Sequence, residues 1–154
     1  MSLGAIYTGA APVGTAELSL PAVRTSAGSS VVTSLEFRAQ DTAVSALVFD
    51  LQYDPNVLSV TPAIGNAAVA ADKVLFYNVL PQPDGKANLR ILIFGLNQTA
   101  IEDGSLVDLT IEVSANSSPG AYPLEFFDVS LASPEAEAVP FKVHSGRVIQ
   151  MGQH

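Results

Sequence analysis

Along most of the chain apolar and polar residues alternate with period two, and no window of a dozen residues carries the i, i+3, i+4, i+7 apolar stripe of an amphipathic helix. The pattern predicts an all-β chain. Leu18 and Leu20 open a first strand, and Val31 to Phe37 form a second after the turn-rich run Ser-Ala-Gly-Ser-Ser at 26–30. In the third, Leu47, Phe49, Leu51 and Tyr53 alternate with Val48, Asp50 and Gln52. Asp54-Pro55-Asn56 ends it, because proline fixes φ and its neighbours favour turns. Val57 to Val60 makes a short fourth strand, and the alanine-rich stretch 64–71 reads as a loop or one short helical turn. Further strands are expected at Val74 to Leu80, Leu89 to Leu96, Leu106 to Val113, Tyr122 to Leu131 and Phe141 to Ile149. About nine short strands with turn signals between them describe two packed sheets rather than alternating β and α units.

The parity of the pattern also assigns faces. Leu47, Phe49, Leu51, Tyr53, Leu109, Ile111 and Val113 are expected in the core, and a slip of one residue would invert every assignment. Residues 16–151 read as one domain. Met1, Ser2 and Leu3 read as a remnant of cloning, and the rest of 1–15, rich in Ala, Gly, Thr and Pro, as a tail or linker end.

Bulk properties narrow the function. A chain of 154 residues with 48% hydrophobic content buries one good core and is too short for two ordinary domains. Its charged fraction of 14% lies below that of a usual soluble domain, so Ser, Thr, Asn and Gln must supply much of the surface. The net charge of −8 repels phosphate backbones and anionic headgroups, which makes nucleic acid and membrane surfaces poor partners. No apolar run approaches the roughly 18 residues of a membrane span. The absence of cysteine excludes disulfides, thiolate metal sites and thiol catalysis. A surface low in Lys and rich in Thr, Ser and Ala fits an exported protein better than a cytosolic one.

Motifs of catalysis are missing. There is no Gly-rich phosphate loop, no histidine pair at ligand spacing and no Gly-x-Ser-x-Gly elbow. Of the two histidines, His154 is the last residue and His144 reads as an exposed strand residue. A glycosidase needs two carboxyls roughly 5–10 Å apart across a cleft. Asp50 and Asp54 instead share one strand and its turn, and Asp103 precedes Gly104 in an ordinary turn. No EF-hand loop occurs, and the triplets at 97–99 and 116–118 are formal glycosylation sequons of a kind that arises by chance in Ser/Thr-rich chains. The expectation is a non-enzyme without cofactor or metal. A carbohydrate-binding module is the rival among β-sandwiches, but the chain has no Trp. Tyr53 and Tyr122 read as core or strand edge, which leaves Tyr7 or Tyr77 for a sugar platform.

One run of residues carries more. Leu-Val-Phe-Asp-Leu-Gln-Tyr-Asp-Pro-Asn-Val-Leu-Ser-Val at 47–60 resembles the cohesin stretch in which an inward-facing strand runs into Tyr-Asp-Pro and then a Val-Leu pair. The match extends in order and spacing: Leu18 to Phe37 with its Ala27-Gly28-Ser29-Ser30 turn, Gly65, Leu89 to Gly95, Asp103-Gly104 to Val113, Pro119-Gly120 to Leu124, and Ser145 to Val148. The resemblance implies a single antiparallel, nine-stranded β-sandwich of jelly-roll topology. It implies a protein-interaction module in an extracellular or cell-surface protein, often one that takes part in polysaccharide breakdown, whose partner is a dockerin, a small calcium-loaded helical module. Where the best-known cellulosomal cohesins carry an Asn and an Asp on the outer face of the third strand, this chain has Ala46 and Val48. In that respect it is similar to cohesin-like modules found outside cellulosomes.

The strand Leu89 to Leu96 points to a site. If Leu89, Ile91 and Ile93 face the core, then Arg90, Leu92 and Phe94 point outward, where an antiparallel sheet normally shows water polar groups. In cohesins this strand and the third share the sheet that docks the partner, so Val48, Asp50, Gln52, Arg90, Leu92 and Phe94 are the expected partner-binding residues. Two other readings stand beside it: a cover formed by the segment Ala67 to Leu75, and a homodimer through the apolar outer face. A structural spacer is a third role for the domain as a whole.

Overall fold

The computed structural model describes residues 14–152. Tyr7, His154 and nearly all of the expected tail lie outside them. The strands are β1 (Ala16–Ser19), β2 (Ala22–Thr25), β3 (Ser30–Arg38), β4 (Ala46–Tyr53), β5 (Leu58–Ile64), β6 (Val74–Pro81), β7 (Ala87–Phe94), β8 (Gly104–Val113), β9 (Gly120–Ala132), β10 (Phe141–His144) and β11 (Gly146–Gln150). One short helix, α1 (Asn66–Ala70), lies between β5 and β6 and packs on β8. Two sheets face each other, in the orders β10-β1-β3-β8-β5 and β2-β11-β9-β4-β7-β6.

Eleven segments stand where about nine strands were expected, and the reason is local. Pro21 offers no N–H to a ladder, and at this point the chain leaves the first sheet as β1 and enters the second as β2. The last strand does the same at Ser145, between β10 and β11. The two halves pair in parallel, β1 with β10 and β2 with β11, so the terminal strands each serve both sheets. The switches touch: a Cβ on Gly146 would come within 2.7 Å of the Leu20 Cβ and the Pro21 carbonyl oxygen, which leaves room only for glycine. The fourth strand is also longer than its apolar pattern suggested and includes Pro62. It can, because β5 is a sheet edge and no neighbour needs the missing N–H.

Parity holds through the core. Leu47, Phe49, Leu51 and Tyr53, together with Leu89, Ile91 and Ile93 opposite them, are buried, as are Leu109, Ile111 and Val113 from the other sheet. Phe49 meets Phe126 at 5.7 Å between ring centroids in a tilted arrangement. Along β9 the inward set changes from even to odd numbers, from Leu124 and Phe126 to Leu131. A bulge causes this. Asp50 pairs with Phe127 and Val48 with Ser130, so Asp128 and Val129 together oppose Phe49, and Asp128 takes a left-handed φ of 53°.

Lys73 is drawn into this interior, at 5% exposure, and among the described residues no carboxylate pairs with it. Its Nζ donates to Ser45 Oγ at 3.1 Å and to Asn97 Oδ1 at 2.5 Å, while the Asn97 amide donates to the carbonyls of Ala71 and Asp72. The first formal sequon is therefore built into a loop clamp. Burial lowers the Lys73 pKa, with Asp72 opposing the effect. The unfolded chain keeps the ordinary value of about 10.4, so it holds more protons than the native state between the two values, and stability rises with pH through that window. Urea unfolding at several pH values should show wild type gaining on Lys73→Met as pH climbs from neutrality towards about 10.4. A difference between the two proteins that is flat in pH would contradict the assignment.

Candidate functional site

The outer face of β9-β4-β7-β6 gathers the expected residues. Register places Val48 opposite Leu92, Asp50 opposite Arg90 and Gln52 opposite Asn88. On the other flank of β7, Phe76 lies opposite Leu92 and Val74 opposite Phe94. Leu92 and Phe94 remain 38% and 37% exposed, and Phe76 stacks on Phe94 at 5.5 Å and 19° between ring planes. Together with half-buried Val48 and exposed Val74 they make an apolar patch in the middle of an open sheet. A shallow groove runs beside it, lined by Ala46, Val48, Leu92, Phe94 and Ser130.

The alternative of a cover formed by Ala67 to Leu75 is not what the structure shows. Its first residues belong to α1, which packs on the opposite sheet's β8, and Val74 and Leu75 extend the same sheet as β6, so they widen the patch instead of closing it. None of the described segments lies over Leu92 and Phe94.

Asp50 behaves differently from a free surface carboxylate. It faces outward yet is only 1% exposed. Its Oδ1 accepts from Arg90 Nε at 2.8 Å, and its Oδ2 accepts from Arg90 Nη2 at 3.0 Å and from Asn88 Nδ2 at 3.2 Å. Asn88 Oδ1 in turn accepts from Gln52 Nε2 at 3.0 Å. The result is a fixed fork-on-fork pair with an amide relay behind it. The Asp50 hydrogen bond and charge raise the Arg90 pKa, and Asp128 adds to the same effect from the bulge. Arg90 itself stays half open to solvent. The group this face presents to solvent is therefore the guanidinium edge, held by a carboxylate beneath it. Asn88, Phe76, Val74 and Asp128 join the face without having been singled out in the sequence.

The remaining carboxylates that invited a catalytic reading have structural duties. Asp54 Oδ1 accepts from the Asn56 amide at 3.0 Å, and Asp103 Oδ1 accepts from the Ala39 amide at 2.8 Å. His144 is exposed on the edge strand β10, its Nε2 3.9 Å from Glu17. Tyr53 is buried, which raises its pKa. Tyr122 bonds the Ser118 carbonyl, and Tyr77 is exposed on the edge strand β6. Among the described residues no three His, Cys, Asp or Glu side chains gather as for a metal ion, and no helix is long and apolar enough to cross a membrane.

Comparison with known proteins agrees with this architecture. A cohesin from Clostridium thermocellum, solved in a type I cohesin–dockerin complex, superposes with a TM-score of 0.75 at 20% identity, covering 89% of this chain and 99% of that one. The seventh ScaB type I cohesin of Pseudobacteroides cellulosolvens gives 0.71 at 16% identity, covering 91% and 94%. A non-cellulosomal cohesin of the hyperthermophilic archaeon Archaeoglobus fulgidus gives 0.69 at 17%, covering 88% and 90%. No curated protein matches the chain by sequence. The family model described as the cohesin domain matches residues 16–149, and the chain belongs to the cohesin domain family.

Proposed function

We propose that this domain is a non-catalytic docking module that binds a dockerin-like helical partner through the outer face of β9-β4-β7-β6, as part of an extracellular or cell-surface protein. The observation that carries the reading is the exposed cluster of Leu92, Phe94 and Phe76 beside the braced Arg90–Asp50 pair. An apolar centre next to a fixed charged group is the composition of a docking surface, the first supplying affinity and the second orientation. Val48, Asp50, Gln52, Arg90, Leu92 and Phe94 are the contact set, with Asp50 acting through Arg90. Membership in the cohesin family and the structural likeness to cohesins solved with dockerins support the choice of partner.

Calorimetric titration with a calcium-loaded dockerin tests the reading. Binding is expected with calcium and is expected to vanish when a chelator strips the dockerin, while the thermal unfolding of this chain stays unchanged. Failure to bind any dockerin of the source organism, together with retention on insoluble polysaccharide, would overturn it.

A further inference from the structure

We propose that the free edge of β6 is a self-association site, at which a second copy of this chain adds antiparallel to form one continuous sheet across a twofold axis. Of the four sheet edges, β2 and β10 are only four residues long and β5 contains Pro62. Short strands and proline are the usual means of blunting an edge. β6 has neither defence until its last residue. It runs for eight residues, Val-Leu-Phe-Tyr-Asn-Val-Leu-Pro, without a charge, and exposes Val74 and Phe76 on one face and Tyr77 and Val79 on the other.

The pairing register follows from which main-chain groups face outward. The Val79 amide bonds the neighbouring Asn78 side chain instead of β7, whereas the Gln82 amide continues the ladder to the Lys86 carbonyl. Odd residues therefore turn their N–H and C=O to the open edge, and Pro81, which has no N–H, shares that parity. Leu75, Tyr77 and Val79 are the outward set. Antiparallel strands bond through directly opposed residues, and one twofold register uses all three: Tyr77 opposite Tyr77, and Leu75 opposite Val79 on both sides of the axis, each pair exchanging both of its main-chain bonds once the Val79 amide leaves the Asn78 side chain for the Leu75 carbonyl of the other copy. In that register Phe76 lies opposite Asn78 and Val74 opposite Leu80, so the outer faces of the two copies join. No charged residue lies within the paired stretch, so two chains of net charge −8 meet where neither carries charge. Lys73, next to it, is already held by Ser45 and Asn97.

The proposal stands independently of the docking reading, and so does its test. Sedimentation equilibrium of the full chain should show the mass doubling as concentration rises. Tyr77→Lys, which sets two ammonium groups against each other across the axis, should hold the chain monomeric, and Leu92→Arg should leave the dimer intact. Because the chain has no cysteine, Tyr77→Cys gives a second measurement: mild oxidation should yield a disulfide-linked dimer, and Leu92→Cys should not. A wild type that stays monomeric at every concentration would overturn the proposal. So would a dimer that survives Tyr77→Lys and is lost in Leu92→Arg, which would place the contact on the outer face instead.

Discussion

Leu92→Arg should leave the domain folded and abolish its partner binding. Leu92 points away from the core from the middle of β7, 38% exposed, between Val48 on β4 and Phe76 on β6. Nothing in the interior depends on its side chain, so unfolding in urea should shift by less than about 1 kcal/mol. If the partner docks on this face as proposed, the same position lies at the centre of the contact, where the substitution replaces an apolar side chain of the patch by a charged one. Central contacts of this kind cost 2 kcal/mol or more when lost, so affinity should fall by roughly 30-fold or beyond. Loss of several kcal/mol of stability, with affinity for the partner retained by the folded fraction, would place Leu92 in the core and remove the proposed interface.

Phe49→Ala should do the reverse. Phe49 lies one residue along β4 from Val48 but faces the other way, fully buried against Phe126. Emptying that volume is expected to cost about 3–5 kcal/mol, a large part of the total stability of a domain this size. Phe76→Ala, which removes the same ring from an exposed position, should cost less than about 1 kcal/mol in the same urea titration. Similar costs for the two variants would mean that the alternation along these strands does not decide which side chains hold the sandwich together.

That alternation is the reason so much of the fold could be read from the chain. A period of two survives wherever one side of a strand is packed, so β4 and β8 announced both their existence and their faces. Three features escaped because each depends on partners distant in sequence. Pro21 and Ser145 look like interruptions within strands, and only the parallel pairing of β1 with β10 and of β2 with β11 makes them crossings between sheets. The β9 bulge breaks parity at Asp128, a residue with no local mark of a left-handed turn beyond its type. β6 reads as apolar on both faces, which suits a buried strand as well as a sticky edge, and the choice is made by its place outside β7.

The site was legible in the same measure. Leu92 and Phe94 stood out as apolar residues on an outward face, and the structure leaves them open. Asp50 was legible as an outward charge but not as a buried one. Its burial requires Arg90 directly opposite, a fact of the β4–β7 register, and an Asn88 amide to meet its second oxygen. The face that emerges presents one braced cation and an apolar centre, where the sequence suggested two independent charges.

The outer face of β9-β4-β7-β6 is proposed to receive a dockerin-like partner. The most direct measurement is amide chemical-shift mapping of the labelled domain as a calcium-loaded dockerin is added. The largest changes should fall on Val48, Gln52, Arg90, Leu92, Phe94 and Phe76, with the sheet β10-β1-β3-β8-β5 left unperturbed. Perturbations centred on that other sheet, or none at all under conditions where the dockerin binds a known cohesin, would contradict the account.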